Sequence, residues 1–301
     1  RVDRSDIEPN VTVLITAFNE ETALRAKIEN TLCLEYPADK LEILVASDGS
    51  TDATDDIVRE FEPRGVRLFR QEGRVGKTET QNNAVARANG EIVLFSDATT
   101  EYEPDVLRKL LPAFADESVG CVAGRLIYVD KASSNVGKGA RSYWNYETFI
   151  KSAESKACSL IGASGCLYAV RKAAYQPMYA EACSDFLVCT MLFRQGLRSI
   201  FEPSAVCFED TNHRPSDEMR MRVRVISQTY TDLWRNIDMM NPLQSGFFAV
   251  ELISHKVLRY AVPVLLFALL ISNILLARES VVFSIILAAQ VFFYLLALAG
   301  W

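Results

Sequence analysis

The stretch EIVLFSDATT, residues 91–100, joins a continuous apolar run to an abrupt polar end. The run has the length and the apolar character of a strand that is buried on both faces of a sheet. It stops at Ser96 and Asp97, so a carboxylate stands where the strand ends. The pattern predicts a strand that brings the Asp97 side chain to the carboxyl edge of a sheet.

Two earlier stretches repeat this scheme of an apolar strand with a polar end. VTVLITAFNE (11–20) and LEILVASDGSTD (41–52) are each followed by a segment in which apolar residues recur at helical spacing. Strands that alternate with helices and lack a polar face predict a mostly parallel α/β sheet covered by helices. In such sheets ligands bind at the carboxyl edge, where these strands place Asn19, Glu20, Asp48 and Asp97.

The apolar content is uneven along the 301 residues, half of which are hydrophobic. Two uncharged runs, 260–277 and 281–301, are each long enough to span the roughly 30 Å hydrocarbon core of a bilayer. They are separated only by the charged turn 278–280, which favours a transmembrane hairpin over two buried core helices. The segment 241–259 mixes aromatic, aliphatic and basic residues and predicts an interfacial amphipathic helix.

The charges that flank the first apolar run predict the orientation of the chain. Lys256 and Arg259 precede the run, whereas the turn 278–280 carries one cation and one anion. The positive-inside rule then places residues 1–240 in the cytoplasm. We therefore expect a multi-pass protein of the plasma or inner membrane, with membrane lipid as a partner.

Composition excludes several other classes of protein. A net charge of −6 argues against nucleic acid as the main ligand. Seven cysteines without a CxxC pair fit reduced thiols, and only two histidines leave little room for a zinc site. Arg1 in place of Met, and an apolar run that continues to Trp301, predict a chain cut at both ends.

Taken in order, the motifs resemble those of the family-2 glycosyltransferases, membrane-associated inverting enzymes with a GT-A fold. The resemblance covers nearly the whole chain. It runs through VTVLITAFNEE, LEILVASDGSTD, GRVGKTETQNNAVARANGEIVLFSDATT, YWNYETFIKSAES, GASGCLYAVRK, SDFLVCTMLFRQGLRSIFEPSAVCFE and ISHKVLRYAVP. It implies a GT-A domain over residues 1–240.

The resemblance implies a nucleotide-sugar donor, with a UDP-sugar expected first. A carboxylate at a strand end can accept hydrogen bonds from uracil or ribose, and a cation at a helix start attracts phosphate. Lys77 and Asn82 match the family's K-x-x-x-x-N element, whereas a solvated loop charge is an equal alternative for Arg74. The implied donor residues are Thr16, Ala17, Asn19, Glu20, Asp48, Gly49, Arg74, Lys77, Asn82, Asp97 and Arg224.

The resemblance also implies a divalent metal, magnesium or manganese, at the end of the SDATT stretch. Asp97 corresponds to the first Asp of the family's D-x-D motif and would bind a hard cation that bridges the diphosphate. Thr99 replaces the second Asp. Its hydroxyl can bind a metal weakly or through water, but it brings no charge.

The family's catalytic base is an Asp at a helix start, and Asp185 in CSDF matches it. Asp185 would take the proton of the acceptor hydroxyl in a single in-line displacement. The alternative is that Asp185 only caps its helix. Arg224 falls where the family's Q-x-x-R-W motif has its Arg, but Met221 and Val225 replace Gln and Trp. A basic helix facing anionic lipid is the alternative there.

An acceptor channel is the least constrained part of the prediction. Aromatic side chains stack on sugars, and glycines allow close backbone approach. A core role for the Trp of YWNYETFIKSAES and a plain loop for GASG are the alternatives. The candidate acceptor residues are Trp144, Glu147, Gly162, Ala163, Ser164 and Gly165.

These features together predict a membrane-anchored, metal-dependent glycosyltransferase that acts on a lipid-linked or cell-surface glycan. A non-catalytic membrane subunit that keeps the fold is one alternative, and the loss of the second Asp favours it. A sugar nucleotidyltransferase is another, although it would need neither the hairpin nor the Asp185 segment. The donor sugar, the acceptor, the linkage, processivity and the oligomeric state stay open.

Overall fold

The computed structural model describes residues 2–129, 135–210 and 215–299. The chain divides into two units, Arg1–Met239 and Met240–Trp301. All strands of the described residues belong to the first unit.

The first unit begins with strands and helices in strict alternation. The strands are rich in Val, Ile and Leu at successive positions, so both of their faces are buried, as in a parallel sheet. The elements are β1 (Val11–Ala17), α1 (Leu24–Leu32), β2 (Leu41–Ser47), α2 (Thr54–Glu60), β3 (Val66–Arg70), α3 (Lys77–Val85) and β4 (Ile92–Asp97), with 3-10 turns at Ala38–Lys40 and Glu62–Arg64.

The alternation loosens after β4, as the sequence predicts. A short strand follows β4 directly, and two long helices flank the last strands. The elements are β5 (Thr100–Tyr102), α4 (Val106–Leu110), β6 (Val119–Val129), α5 (Asn135–Ala157), β7 (Tyr168–Arg171), α6 (Ser184–Arg194), β8 (Arg198–Asp210) and α7 (Pro215–Arg235), with 3-10 turns at Leu111–Ala115, Lys172–Ala174 and Ile237–Met240.

These strands form one eight-stranded sheet in the order β3-β2-β1-β4-β7-β6-β8-β5. β1 is parallel to both β2 and β4, β2 is parallel to β3, and β6 is parallel to β8. β7 runs antiparallel between β4 and β6, and β5 is antiparallel to β8. The predicted mostly parallel sheet is confirmed, with antiparallel strands confined to its second half.

The core has two parts, one on each face of the sheet. Successive residues of β1 alternate between them: Val13 and Ile15 belong to one cluster, and Leu14 to the other. The first cluster also includes Leu24 and Ile28 of α1. Burial on both faces leaves only the strand ends open, so polar residues at those ends can form a site.

The second unit consists of short helices followed by two long apolar ones. It contains α8 (Pro242–Ser245), α9 (Phe247–Leu252), a π-helical turn at Ile253–Val257, α10 (Leu258–Leu276) and α11 (Val281–Ala299). The sequence predicts a separate helix over 241–259. In the structure the helix is interrupted at Gly246, which has a positive φ of 55°. A single continuous helix then covers Phe247–Leu276.

Polar side chains join α10 to α11. The Asn273 amide donates to Gln290 Oε1 at 2.8 Å, and Gln290 Nε2 donates to the Leu266 carbonyl at 3.1 Å. Tyr294 also donates to that carbonyl, at 3.1 Å. Among the described residues, two helices are long and apolar enough to cross a membrane. Only 6% of the residues in the apolar stretch of each helix are buried.

Candidate active site

The carboxyl ends of β1, β2 and β4 lie side by side at one edge of the sheet. Ala17 is in register with Ser47 of β2, and Thr16 is in register with Asp97 of β4. The Asp48 amide donates to the Ala17 carbonyl at 2.9 Å, so the pairing extends just past the end of β2. The edge predicted from the strand pattern therefore does bring these residues together.

Two loops at this edge are bound to each other through side chains. Asn19 adopts a left-handed conformation with φ of 55°, and its Oδ1 accepts from the Thr51 amide at 2.8 Å. The Asn19 amide donates to Ser50 Oγ at 3.1 Å, and the Glu20 amide donates to Thr54 Oγ1 at 2.8 Å. Burial, followed by the charges of Asp97 and Asp52, raises the pKa of Glu20.

A third loop, residues 71–76, folds closely over the end of β2. Gly49 has a φ of +68°, and a Cβ there would lie 2.5 Å from the carbonyl carbon and oxygen of Gly73. Only glycine satisfies both conditions. The Arg74 guanidinium lies 3.9 Å from the centroid of the Phe18 ring, within cation–π range.

The Asp48 carboxylate holds the loop that leads into α3. It is 4% exposed, and its Oδ1 accepts from the Val75 amide at 2.8 Å and from Thr80 Oγ1 at 3.0 Å. The Gly76 amide donates to both carboxylate oxygens, at 3.1 and 3.0 Å. These contacts fix the start of α3, and thereby the position of Lys77.

Lys77, the first residue of α3, forms an ion pair with Asp97. The two side chains remain 43% and 31% exposed, so both are open to a ligand. The loss of contact with water would by itself lower the pKa of Lys77. The charge of Asp97, the hydrogen bond to it and the charge of Asp185 outweigh that effect and raise the pKa. Lys77 is therefore protonated and positively charged at neutral pH.

Asp185 faces the same point from α6. A Cβ built on Gly165 would lie 3.3 Å from Asp185 Oδ2 and 3.8 Å from Lys77 Nζ, so these two groups approach one glycine backbone. The Ala163 amide donates to the Asp185 carbonyl at 2.9 Å, which joins the GASG loop to the helix start. A cation and two carboxylates thus lie around one small space.

Within the described part of the chain, hydrogen bonds hold the Asp185 carboxylate through one oxygen, Oδ1. Oδ1 accepts from the Phe186 amide and from Cys183 Sγ, each at 3.1 Å. The Cys183 amide in turn donates to the Asp232 carboxylate at 3.0 Å, and the Tyr179 hydroxyl donates to it as well. Burial raises the pKa of Asp232 to about 6.

Glu209 adds a carboxylate that the sequence interpretation missed. Thr99 Oγ1 donates to Glu209 Oε1 at 3.2 Å. Burial, and then the charge of Asp97, raise the pKa of Glu209 to about 7. The signal was available in SIFEPSAVCFED, because that apolar strand also ends in acidic residues.

The residues expected to bind a metal offer oxygen donors only. Asp97 contributes a carboxylate and Thr99 a hydroxyl, and hard divalent cations prefer such donors. No group of three or more His, Cys, Asp or Glu side chains that could hold a metal occurs in the part of the chain that the structure describes. The set fits a magnesium or manganese ion that is also bound by phosphate oxygens and water.

A second residue that the sequence interpretation missed is Lys27 of α1, which is 2% exposed. Its Nζ donates to Thr100 Oγ1 at 3.2 Å and lies 3.4 Å from the centroid of the Tyr102 ring. Burial lowers the pKa of Lys27 to about 7, although nearby Cys207, Cys166, Asp97 and Glu101 act in the opposite direction.

The structure shows the surroundings of two other predicted donor residues, Asn82 and Arg224. Asn82 Oδ1 accepts from the Tyr175 hydroxyl and the Met178 amide, and its Nδ2 donates to the Met178 carbonyl at 2.6 Å. Its amide therefore binds the 175–178 segment. Arg224 is exposed on α7.

The predicted acceptor residues separate into two groups. Gly162 and Gly165 pack against the start of α6, as described for Asp185. Ser164 is 5% exposed and accepts from Nζ of Lys151, a residue of α5, at 2.7 Å. Glu147, also on α5, is 6% exposed. The side chain of Trp144 lies outside the described part of the structure.

Comparison with known proteins agrees with this fold. Residues 12–178 match Glycosyl transferase family 2, and the chain belongs to that family. A β-monoglucosyldiacylglycerol synthase of Nostoc is 34% identical over 122 residues, which cover 39% of this chain and 26% of the relative. The chain spans only 26–31% of the length of the first curated relatives that it matches.

Two solved structures show the same architecture. The mannosyltransferase PcManGT from Pyrobaculum calidifontis, in complex with GDP-Man and Mn²⁺, has a TM-score of 0.78 and 25% identity, covering 98% of this chain and 84% of that one. S. aureus TarS 1–349 in complex with UDP-GlcNAc has a TM-score of 0.52 and 18% identity, covering 68% and 59%. The predicted GT-A fold and family are confirmed.

Proposed function

We propose that this protein is a membrane-anchored glycosyltransferase that transfers a sugar from a nucleotide sugar, first of all a UDP-sugar, with inversion. One observation carries the proposal. Lys77 pairs with Asp97, and Lys77 and Asp185 both approach the Gly165 backbone, which puts a cation for the diphosphate and a carboxylate for the acceptor around one space. The ligands of the similar structures, GDP-Man with Mn²⁺ and UDP-GlcNAc, support a nucleotide sugar whose base is either guanine or uracil.

The proposed donor site lies at the ends of β1, β2 and β4. Phe18 and Arg74 offer a flat apolar and cationic surface for the nucleotide base. Asp48 keeps Lys77 in place through the amides of Val75 and Gly76. A divalent cation bound by Asp97 and Thr99 would supply positive charge for the diphosphate oxygens.

Asp185 is the proposed general base. Its Oδ1 is held by the Phe186 amide, whereas its Oδ2 faces Gly165 and can accept the acceptor's proton. The freed oxygen attacks the anomeric carbon, and the nucleoside diphosphate leaves from the opposite face. Lys77 stabilises the charge that develops on the leaving diphosphate.

The test follows release of nucleoside diphosphate from UDP-sugars and GDP-sugars by the full chain in detergent. Asp185→Asn keeps the size of the side chain and is expected to lower kcat by about 10²–10⁴-fold, with little change in donor affinity. Asp56→Asn is the matched control for the loss of one carboxylate, because Asp56 is 77% exposed and pairs with Arg59 on the surface of α2. Full activity in Asp185→Asn would remove Asp185 from the proposed role.

Inversion has its own readout. Proton NMR of the first product should show the anomeric configuration opposite to that of the donor. Retention of configuration would contradict the single displacement. A folded protein that binds nucleotide but never transfers or hydrolyses would favour the non-catalytic alternative, for which the neutral Thr99 is the supporting observation.

We also propose that the second unit anchors the protein as a transmembrane hairpin with the first unit in the cytoplasm. The apolar helices and the polar contacts that join them support a hairpin, because such contacts stabilise helix pairs in lipid. A lipid-linked or membrane-proximal glycan acceptor fits this location.

The orientation can be tested by cysteine labelling. Cys33 is exposed and serves as the labelling site in the first unit, and Ser280→Cys introduces one in the turn between the two apolar helices.

An impermeant maleimide applied to intact cells should label Ser280→Cys but not Cys33. Lysed cells should show labelling at both. Labelling of Cys33 in intact cells, or of neither position after lysis, would contradict the proposed orientation.

A further inference from the structure

The metal site implied by SDATT has a deficit of negative charge. Thr99 stands two residues after Asp97, and its hydroxyl is neutral. Asp97 alone therefore faces the cation, and its carboxylate is shared with Lys77. Sites for magnesium and manganese commonly use one or two carboxylates together with substrate phosphates. A second carboxylate close to Thr99 would complete such a set.

Glu209 lies in the right place to provide it. The antiparallel pairing of β5 with β8 puts Thr100 opposite Glu209. This register places Glu209, near the end of β8, beside the turn that joins β4 to β5. The Thr99 hydroxyl donates to its Oε1 at 3.2 Å, so the carboxylate touches the side chain that replaces the missing Asp.

Glu209 also has the capacity to bind a cation. Its hydrogen bonds come from hydroxyl groups, those of Thr99 and Tyr128, and a carboxylate has about four lone-pair sites. No lysine, arginine or histidine of the described residues forms an ion pair with it, although the charge of Lys77 lies near enough to act on it. A partly buried carboxylate beside Asp97 that no cationic side chain contacts directly can accept a metal ion, which would supply positive charge to both carboxylates.

We infer that Glu209 binds the divalent cation together with Asp97, and that it supplies from β8 the negative charge that Thr99 does not. The Thr99 hydroxyl, which donates to Glu209 Oε1, orients that carboxylate. This inference rests on the proposed function, because it concerns the metal of the same donor site. The competing explanation is that Glu209 only links Thr99 to Tyr128 within the fold.

The test measures Mn²⁺ binding to the full chain in detergent, in the presence of UDP, from the decrease of the free Mn²⁺ signal in electron paramagnetic resonance. Glu209→Gln keeps the shape of the side chain and an oxygen acceptor for Thr99, and is expected to weaken Mn²⁺ binding at least about tenfold. Glu117→Gln is the matched control for the loss of one charge, since Glu117 is exposed.

Two further variants separate binding from folding. Thr99→Asp combined with Glu209→Gln returns a carboxylate to the neighbouring position and should restore most of the Mn²⁺ affinity. Glu209→Asp keeps the negative charge and therefore controls for the introduction of a neutral amide. Its Mn²⁺ affinity should still fall, because the carboxylate is withdrawn by one methylene. Melting temperature is recorded for every variant.

Mn²⁺ affinity in Glu209→Gln and Glu209→Asp equal to that of the control would overturn the inference. If wild type binds Mn²⁺ and Asp97→Asn does not, the proposed donor site stands even then. If wild type takes up no Mn²⁺ with either UDP or GDP, the metal-dependent function fails instead, and the inference falls with it.

Discussion

Lys27 is a buried cation with which no carboxylate of the described residues forms an ion pair. Replacing it by methionine should stabilise the fold in a pH-dependent way. The side chain is 2% exposed and packs over the Tyr102 ring. Methionine has a similar length and contacts aromatic rings favourably. The Thr100 hydroxyl keeps a partner in the variant, because it also donates to the Asp97 carbonyl at 3.0 Å.

The magnitude follows from the pKa. Burial lowers the pKa of Lys27 from 10.5 to about 7. Below about pH 7, Lys27 is protonated in the folded and the unfolded chain, and the cost of burying its charge is fully present. Between that pH and 10.5 only the unfolded chain holds the proton, so stability rises with pH. From pH 7 to pH 9.5 the gain is about 3 kcal/mol.

The assay is the melting temperature of the full chain in detergent at pH 7 and pH 9.5, for wild type and Lys27→Met. The difference between the two proteins cancels every other titrating group. Lys27→Met should melt higher at pH 7, and its advantage should shrink by about 6–12 °C at pH 9.5. Parallel melting curves at both pH values would refute a buried lysine with a lowered pKa.

Three further substitutions test the site. Gly49→Ala should lower stability by more than about 1–2 kcal/mol and weaken nucleotide binding, because a Cβ there meets the Gly73 carbonyl at 2.5 Å; melting and titration calorimetry report both. Lys77→Met should weaken binding of a nucleoside diphosphate by about 10–100-fold with little change in melting, since its ion pair is partly exposed. Asp48→Asn should cost about 1.5–3 kcal/mol, because the amide group faces the N–H of Val75, and calorimetric unfolding would detect it.

The sheet edge was predictable because it depends on local pattern. Continuous apolar runs that end in Asn19, Asp48 and Asp97 indicate parallel strands, and parallel strands bring their carboxyl ends together. The ion pair of Lys77 with Asp97 extends this logic, since a helix start next to β4 places a cation beside the strand end.

Glu209 was not predictable by the same means. It touches Thr99 because β5 pairs with β8, and the two segments are more than a hundred residues apart in the chain. No local periodicity specifies that pairing. Asn82 shows the reverse case: its spacing from Lys77 suggested a ligand contact, but tertiary packing directs its amide to the 175–178 segment.

The central claim is a nucleotide-sugar site at the Asp97 edge, and the most direct measurement is calorimetric binding of UDP and GDP to the purified full chain, with and without Mn²⁺. The account predicts binding of one nucleotide that depends on Mn²⁺ and is lost in Asp97→Ala. A folded protein that binds neither nucleotide, or whose binding survives Asp97→Ala unchanged, would contradict it.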